Sequence, residues 1–339
     1  MVGDLFPETL APYMAVMATS TMPKSWPSDP YGFRRWPGRW ARDTLTGKAV
    51  PGMFASDEEL FFAFTDRGYA NRTFKGARGY EIGAKVNCQV RAFADSYAAS
   101  LAFYELEAIN LSSWCYWGVY LGVFWYVEAC PPRGPCYHGE VVDYLLSELD
   151  AKSQTMHRYD MGYWYKRPEM VEQIRVQLND PHLVVPYAGV SFLETPSHPS
   201  DGEPGLTGWH RCQPYQKDQS GALVNYLERK DRDLWQYKVL SGDTAGLSPE
   251  LKAAFFLPDS SGALDPHFDR HGVSASVGES WSNCFLMSTG PFDWRAGDTL
   301  RLVFALVMGD DLEDLKRNAR TAQRMYELGY QRSGPPPAP

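Results

Sequence analysis

No stretch of this chain reaches the roughly 20 consecutive apolar residues that a membrane-spanning helix needs. The longest candidate, Trp114 to Val127, is shorter and is interrupted by Gly118 and Gly122, which predicts a buried strand. Basic charge is also scarce: 33 Lys and Arg stand against 41 Asp and Glu, a formal net charge of -8, with no local run of cations. A chain of that sign has no general attraction for a phosphate backbone, so nucleic acid is not an expected partner. Met1 is followed by Val2-Gly3-Asp4, without a basic segment or a continuous apolar core, so no signal peptide is visible in this numbering. The Gly-x-Ser-x-Gly elbow, the P-loop, the dinucleotide fingerprint, Cys-x-x-Cys and the Cys-x-x-Cys-His haem attachment are missing as well. Without such patterns nothing in the sequence calls for catalysis, and the expected function is non-enzymatic.

Aromatic residues are abundant: 11 Trp, 20 Tyr and 17 Phe supply large flat groups that fill a sheet interior or cover a binding face. Gly (29) and Pro (25) are frequent too, which fits many turns better than long helices. With 339 residues, 44% of them hydrophobic and 22% charged, the composition is that of a globular protein with a large core. The length admits either one large β domain or two. One domain over 1–330 followed by a linker over 331–339 is expected.

Residues 1–52 are rich in Pro, Trp and Gly and show no sustained period, which predicts an irregular segment lying over a surface. Glu59 to Thr65 reads as a short strand between turn signals. Ile82, Ala84, Val86, Cys88, Val90 and Ala92 alternate with Gly83, Lys85, Asn87, Gln89 and Arg91. Period two with one apolar face predicts an antiparallel strand whose other side is wet. Leu101 to Ile109 and Trp114 to Tyr126 follow across the short link Asn110 to Ser113, as neighbours in a meander. Glu140 to Gln177 has short apolar runs without a clear period, and Val184 to Leu193 is a further strand candidate. A loop-rich insert is expected over about 194–280, with Ala222 to Leu240 as a helix inside it. Trp281 to Ser288 and Thr299 to Met308 are expected to form a hairpin. Leu312, Leu315, Ala319, Ala322 and Tyr326 share a helical face, with Asp310 placed to cap and Gly329 to stop an amphipathic helix over 310–329. Ser333 to Pro339 reads as a stiff linker toward a further module. These elements predict a mainly β fold, an antiparallel β-sandwich with long irregular loops and a C-terminal amphipathic helix.

The cysteines bear on compartment. Cys130 and Cys136 bound the rigid turn Cys-Pro-Pro-Arg-Gly-Pro-Cys, whose ends can meet in a disulfide, and a disulfide favours an oxidising compartment. Cys88, Cys115, Cys212 and Cys284 have no partner assigned by spacing, with buried free thiols as the alternative to further disulfides. A zinc site from Cys130, Cys136 and His138 lacks the usual paired-ligand spacing.

Four segments then carry a resemblance. Trp36-Pro37-Gly38-Arg39-Trp40-Ala41-Arg42-Asp43, Ser56 to Asp66, Gly189 to Pro196 and Met287 to Phe292 recur in that order in another group. They resemble large, mostly uncharacterised secreted bacterial proteins that often carry a downstream Pro-rich linker and fibronectin type III-like or sorting modules. The resemblance implies an exported, β-rich amino-terminal region and carries no catalytic residue over. Relatives often have an Asp-rich, calcium-like loop after the third core strand; here Glu128 to His138 stands in that place, and the Cys130–Cys136 bridge is expected to fix the loop instead.

Three clusters bear chemistry. Glu105 and Glu107 face one side of a strand about 7 Å apart, a spacing compatible with paired carboxylates but common on the wet face of any sheet. His267, Asp269 and His271 share a face if their segment is extended and are candidate ligands for a divalent metal, the one cofactor considered, although the same residues make a plain polar loop. Trp209 and Arg211 are candidates for a ligand platform, against packing of Trp209 under a loop. Together these features point to a binding or scaffolding protein that is extracellular, periplasmic or on the cell surface. Its expected partner is another protein, a copy of itself or the membrane-extrinsic face of an assembly. The alternative is a carbohydrate-binding or carbohydrate-active module. Peptide mapping under non-reducing conditions is expected to recover Cys130 linked to Cys136; two free thiols there would remove the argument for an oxidising compartment.

Overall fold

The computed structural model describes residues 17–28, 31–38, 43, 45–46, 54–66, 73–74, 77–78, 81–127, 140–150, 153–197, 202–211, 215–217, 223–225, 232–246 and 283–330. The first strands in chain order are β1 (Ala18–Thr19), β2 (Glu58–Thr65), β3 (Thr73–Phe74), β4 (Ala77–Arg78), β5 (Ala84–Ala92), β6 (Leu101–Asn110) and β7 (Tyr116–Val127). Then come β8 (Glu140–Leu149), β9 (Met156–Lys166), helix α1 (Pro168–Leu178), β10 (Tyr187–Glu194), β11 (Gly208–Arg211), β12 (Tyr215–Lys217) and β13 (Leu223–Asn225). Helix α2 (Arg232–Ser241), β14 (Asn283–Trp294), β15 (Thr299–Gly309) and helix α3 (Leu312–Glu327) complete the order. The protein is mainly β, its paired strands run antiparallel, and an amphipathic helix follows the last strand, as the period-two and period-3.6 patterns require. Among the described residues no helix is long and apolar enough to cross a membrane.

Residue contacts divide the chain into two compact units, Met1–Trp117 with Asp293–Leu306 and Arg320–Pro339, and Gly118–Phe292 with Val307–Ala319. In the first unit the strand order is β1-β2-β5-β6-β15. Register places Glu59, Phe61 and Ala63 opposite Arg91, Gln89 and Asn87, which in turn face Phe103, Glu105 and Glu107. All nine side chains therefore lie on one face. The expectation that this polar face is wet is corrected: Glu59, Gln89, Arg91, Phe103 and Glu105 are all buried on it. Two segments at opposite ends of the sequence explain the reversal. Trp36, packed edge-on to Phe54 at 5.1 Å, brings Gly38 down beside Gln89, and Tyr330 lies against Phe103 at 5.1 Å.

In the second unit β8, β9 and β10 form one antiparallel layer, while β14 lies between β11 and β7 in another. The layers close as a sandwich on an aromatic core: Trp209 of β11 stacks on Phe285 of β14, and Tyr144 of β8 and Trp164 of β9 pack against them at 5.4 and 6.0 Å. Gly162 of β9 makes this approach possible. A Cβ there would sit 2.7 Å from Phe285 and 2.8 Å from the Trp209 indole nitrogen.

Several expectations are corrected. β7 does not extend the β5–β6 meander but joins β14, and its run is not fully buried, since Trp117 and Phe124 are exposed. β14 and β15 are not hydrogen-bonded neighbours, so the expected hairpin does not form. The backbone of Asp298 accepts from both Asn110 N–H and the Trp294 indole, which turns the chain toward β6 instead. The helix expected over Ala222 to Leu240 is strand β13, paired with β12, and the shorter α2. Helix α1 arises within the stretch Glu140 to Gln177 that shows no clear period, with Pro168 at its first turn and Asn179 closing it in a left-handed conformation. The cap of α3 is Asp311, whose carboxylate accepts from Asp314 N–H, while Asp310 N–H donates to Asp314.

Gly162→Ala is expected to destabilise the protein by about 1–3 kcal/mol through overpacking. Urea denaturation measures this, and an unchanged midpoint would mean that the two layers lie farther apart than described.

Candidate functional site

Two places in the first unit combine chemistry with defined geometry. One begins with Asn110, the last residue of β6, which is 1% exposed. Its side-chain amide nitrogen donates to Trp114 O at 2.8 Å and to Trp294 O at 3.0 Å, and its carbonyl oxygen accepts from Ser112 N–H and the Ser112 hydroxyl. The backbone is held equally firmly. Asn110 N–H donates to Asp298 O, Gly297 N–H donates to Asn110 O, and Leu111 N–H donates to Gly83 O. A short Asn residue that satisfies the turn after it in this way converts a loop into a fixed corner. Tyr116 adds a further tie, its hydroxyl donating to Ile82 O at 2.7 Å.

The corner displays apolar groups to solvent. Trp114 is 71% and Trp117 66% exposed, with Leu111 and Ile82 also exposed beside them. Single exposed hydrophobes are ordinary, but here Trp114 on the anchored loop and Trp117 at the start of β7 expose two indoles three residues apart in sequence, and clustered exposed apolar groups are what mark contact surfaces. Free Cys115 lies exposed between them in sequence.

The other place is the buried polar face. Arg91 pairs with Glu105 through its terminal nitrogen and lies 3.7 Å from Glu59 through Nε. Gln89 donates to Glu59, whose other oxygen accepts from Ala55 N–H at 2.8 Å. Glu105 also accepts from Arg301 and from the Tyr330 hydroxyl, each at 3.0 Å. Two carboxylates and two guanidiniums thus balance, and the Tyr330 ring closes over Arg91 at 4.6 Å. Tyr330 reaches this position because α3 stops in a left-handed turn at Gly329, where Tyr330 N–H donates back to Met325 O. The carboxylates are therefore engaged in pairing. Glu105 and Glu107 do share a face, as the spacing requires, but Glu105 is buried and bonded and is not one of two solvated neighbours.

The other sequence-predicted residues fare differently. Trp209 is a core residue, 4% exposed and stacked on Phe285, so its ring is not a platform open to ligands. The expectation of a ligand site there is corrected for Trp209, while the Arg211 side chain lies outside the described residues. Cys130, Cys136, His138, Cys212, His267, Asp269, His271 and the linker over 331–339 also lie outside them, as does the Cys284 side chain. Among the described residues no group of three or more His, Cys, Asp or Glu is placed to hold a metal ion. Cys88 is a buried free thiol whose pKa burial pushes up to about 12, whereas Cys115 is free but exposed, not buried as expected. Asn110 and the Glu59–Arg91–Glu105–Arg301 set were missed. Their signals were an Asn followed by Ser two residues later at a strand end, and opposite charges at matching parity on neighbouring strands.

A scan of the chain against protein-family models gives no match, and neither does a search of curated proteins. Its chemistry is therefore read from its own residues.

Arg91→Met removes the shared cation and leaves two buried carboxylates. It is expected to cost about 3–5 kcal/mol in urea denaturation. A loss below about 1 kcal/mol, the range of exposed ion pairs, would mean that water reaches the network.

Proposed function

We propose that this protein is a non-catalytic binding component of an exported compartment, docking onto another protein through the Trp114–Trp117 corner. The observation that carries the proposal is an uncovered indole, Trp114, whose backbone carbonyl is held by a buried asparagine, with a second uncovered indole, Trp117, three residues further on. Rigid aromatic groups bring contact area at small cost in side-chain freedom, and Trp is enriched among residues that dominate interface energies. A pre-ordered loop loses little entropy on binding, which raises affinity without further contacts. Charge selects the kind of partner. Two copies at -8 each repel at long range, so a different protein with a basic rim around an apolar pocket is the favoured occupant.

Export, to the outside of the cell, the periplasm or the cell surface, is supported by the four segments that resemble secreted bacterial proteins. A membrane-extrinsic place in a larger assembly fits the same surface.

Placing a photo-crosslinking phenylalanine analogue at position 117 is expected to capture one protein in stoichiometric amount. That protein, purified, is expected to bind the native chain, and Trp114→Ser with Trp117→Ser together to weaken binding by about 1,000-fold, as two interface Trp at about 2 kcal/mol each imply. Thermal unfolding of the double variant should be unchanged, since both residues are exposed. Unchanged affinity would overturn the proposal, and so would sedimentation showing that the indoles instead hold a homodimer together.

A further inference from the structure

Residues 17–48 carry six Lys and Arg against two Asp, a net charge of +4 in a chain whose total is -8. The cations are spaced along the segment and form no run. Within the first unit the stretch from Met22 to Arg35 is a loop braced at its base, apart from residues 29–30, which lie outside the described residues. Trp26 packs edge-on to Trp36 at 5.7 Å and to Phe54 at 6.0 Å, and its indole N–H donates to Thr19 O of β1 at 2.8 Å. Ser25 closes the first bend, its hydroxyl accepting from Thr19 N–H and donating to Met22 O. Further out, Ser28 forms a backbone bridge with Arg34, and Arg35 N–H donates to Pro27 O at 3.0 Å. The two arms of the loop are thereby joined.

Two kinds of group are held out to water there. Tyr31 is 85% and Phe33 67% exposed, on either side of Gly32, whose φ of +84° favours glycine. Met22, Lys24 and Arg34 are exposed as well. The Arg34 guanidinium donates to Lys24 O at 2.6 Å and to Trp26 O at 2.7 Å, so neutral partners fix it and its charge is kept. Among the described residues neither Lys24 nor Arg34 pairs with a carboxylate. Phe33 adjoins Arg34 in the chain, and the Cα of Tyr31 lies at most about 11 Å from that of Arg34, three residues on.

This combination narrows the partner. The cations select an anionic surface, and rings that project from a turn suit a medium that opens around them more than a pocket that must match their shape. The boundary of an anionic bilayer meets both conditions, since aromatic rings settle at the level of the headgroups while cations beside them meet lipid phosphates. Salt screens exposed charges beyond about 8 Å, so a contact made at this loop responds to the local excess of cations and little to the acidic remainder. We infer that the Tyr31–Phe33 loop inserts into the headgroup layer of an anionic membrane, with Lys24 and Arg34 on the lipid phosphates. The surface is separate from the Trp114–Trp117 corner and does not rest on the docking proposal.

The test is cosedimentation of the full chain with phosphatidylcholine vesicles containing about 30% phosphatidylglycerol, beside vesicles of phosphatidylcholine alone. Binding is expected on the anionic vesicles and about 25-fold weaker on the neutral ones, from two cations worth about fivefold each. Lys24→Gln is expected to weaken binding to the anionic vesicles about fivefold, and Tyr31→Ser with Phe33→Ser at least about tenfold through lost apolar burial. All three residues are exposed, so thermal unfolding should not change. If one of these variants fails to fold, the other carries the comparison. Trp114→Ser with Trp117→Ser should pellet as the native chain does, and a loss there would assign the membrane contact to the other corner and overturn this inference. Four further results would each do the same: no pelleting up to about 1 mM lipid, where a millimolar affinity half-saturates; equal binding to neutral vesicles; binding that Tyr31→Ser with Phe33→Ser leaves unaltered; or binding to poly-glutamate or a single-stranded oligonucleotide in preference to the vesicles.

Discussion

A guanidinium held between two carboxylates inside a sheet is the constraint on which the first unit depends. Taking Glu59, Arg91 and Glu105 out of water costs far more than any one contact between them returns, so they persist only as a complete set, closed by the part-exposed Arg301. Completeness has a structural effect beyond energy. A one-residue slip of β2 or β6 against β5 would carry a carboxylate to the opposite face and leave Arg91 buried without it. The charges thus act as a register key beside the apolar side of the same strands, where Cys88 and Val90 are buried and Phe62, Phe64 and Leu106 are half-buried.

That fixed sheet carries both functional features of the unit. The Asn110 corner is the end of β6, and the Tyr31–Phe33 loop is tied to Thr19 of edge strand β1. Both gain from the same rigidity, one by holding indoles out to solvent and the other by holding two aromatic residues beside a fixed cation. The planar fork of Arg suits this role, since its donors are fixed in one plane and direct the two carboxylates, whereas an ammonium is a point charge on a flexible stem. In the second unit the comparable anchoring is apolar, with Trp209, Phe285, Trp164 and Tyr144 meeting over a bare Gly162.

Much of this architecture was legible in the residues. The alternation through Ile82 to Ala92 and the helical face from Leu312 to Tyr326 produce the elements they predict, because each pattern has one geometry that buries its apolar side. What parity alone does not reveal is which face the rest of the chain covers. Trp36 and Tyr330 come from far along the sequence to close the polar side, and no local pattern around Arg91 records their arrival. The same holds for strand partners: β7 and β14 carry the right composition for strands, but their pairing is decided by turns at Asn110 and Asp298 that bond across a long separation in sequence. Trp209 is a case where the two readings of an aromatic residue, platform or packing, could be told apart only by the fold: its ring lies between Tyr144 and Phe285 in the core.

The tripeptide Asn110-Leu111-Ser112 has the form of an N-glycan acceptor. In the folded protein its amide is fully occupied, bridging two carbonyls and accepting from Ser112, so an oligosaccharyltransferase has access only while the chain is still unfolded. A glycan added at that moment would forbid the corner from closing. Production of the protein through a eukaryotic secretory route therefore sets a race between modification and folding, and the native fold belongs only to those molecules that lose the chance to be glycosylated.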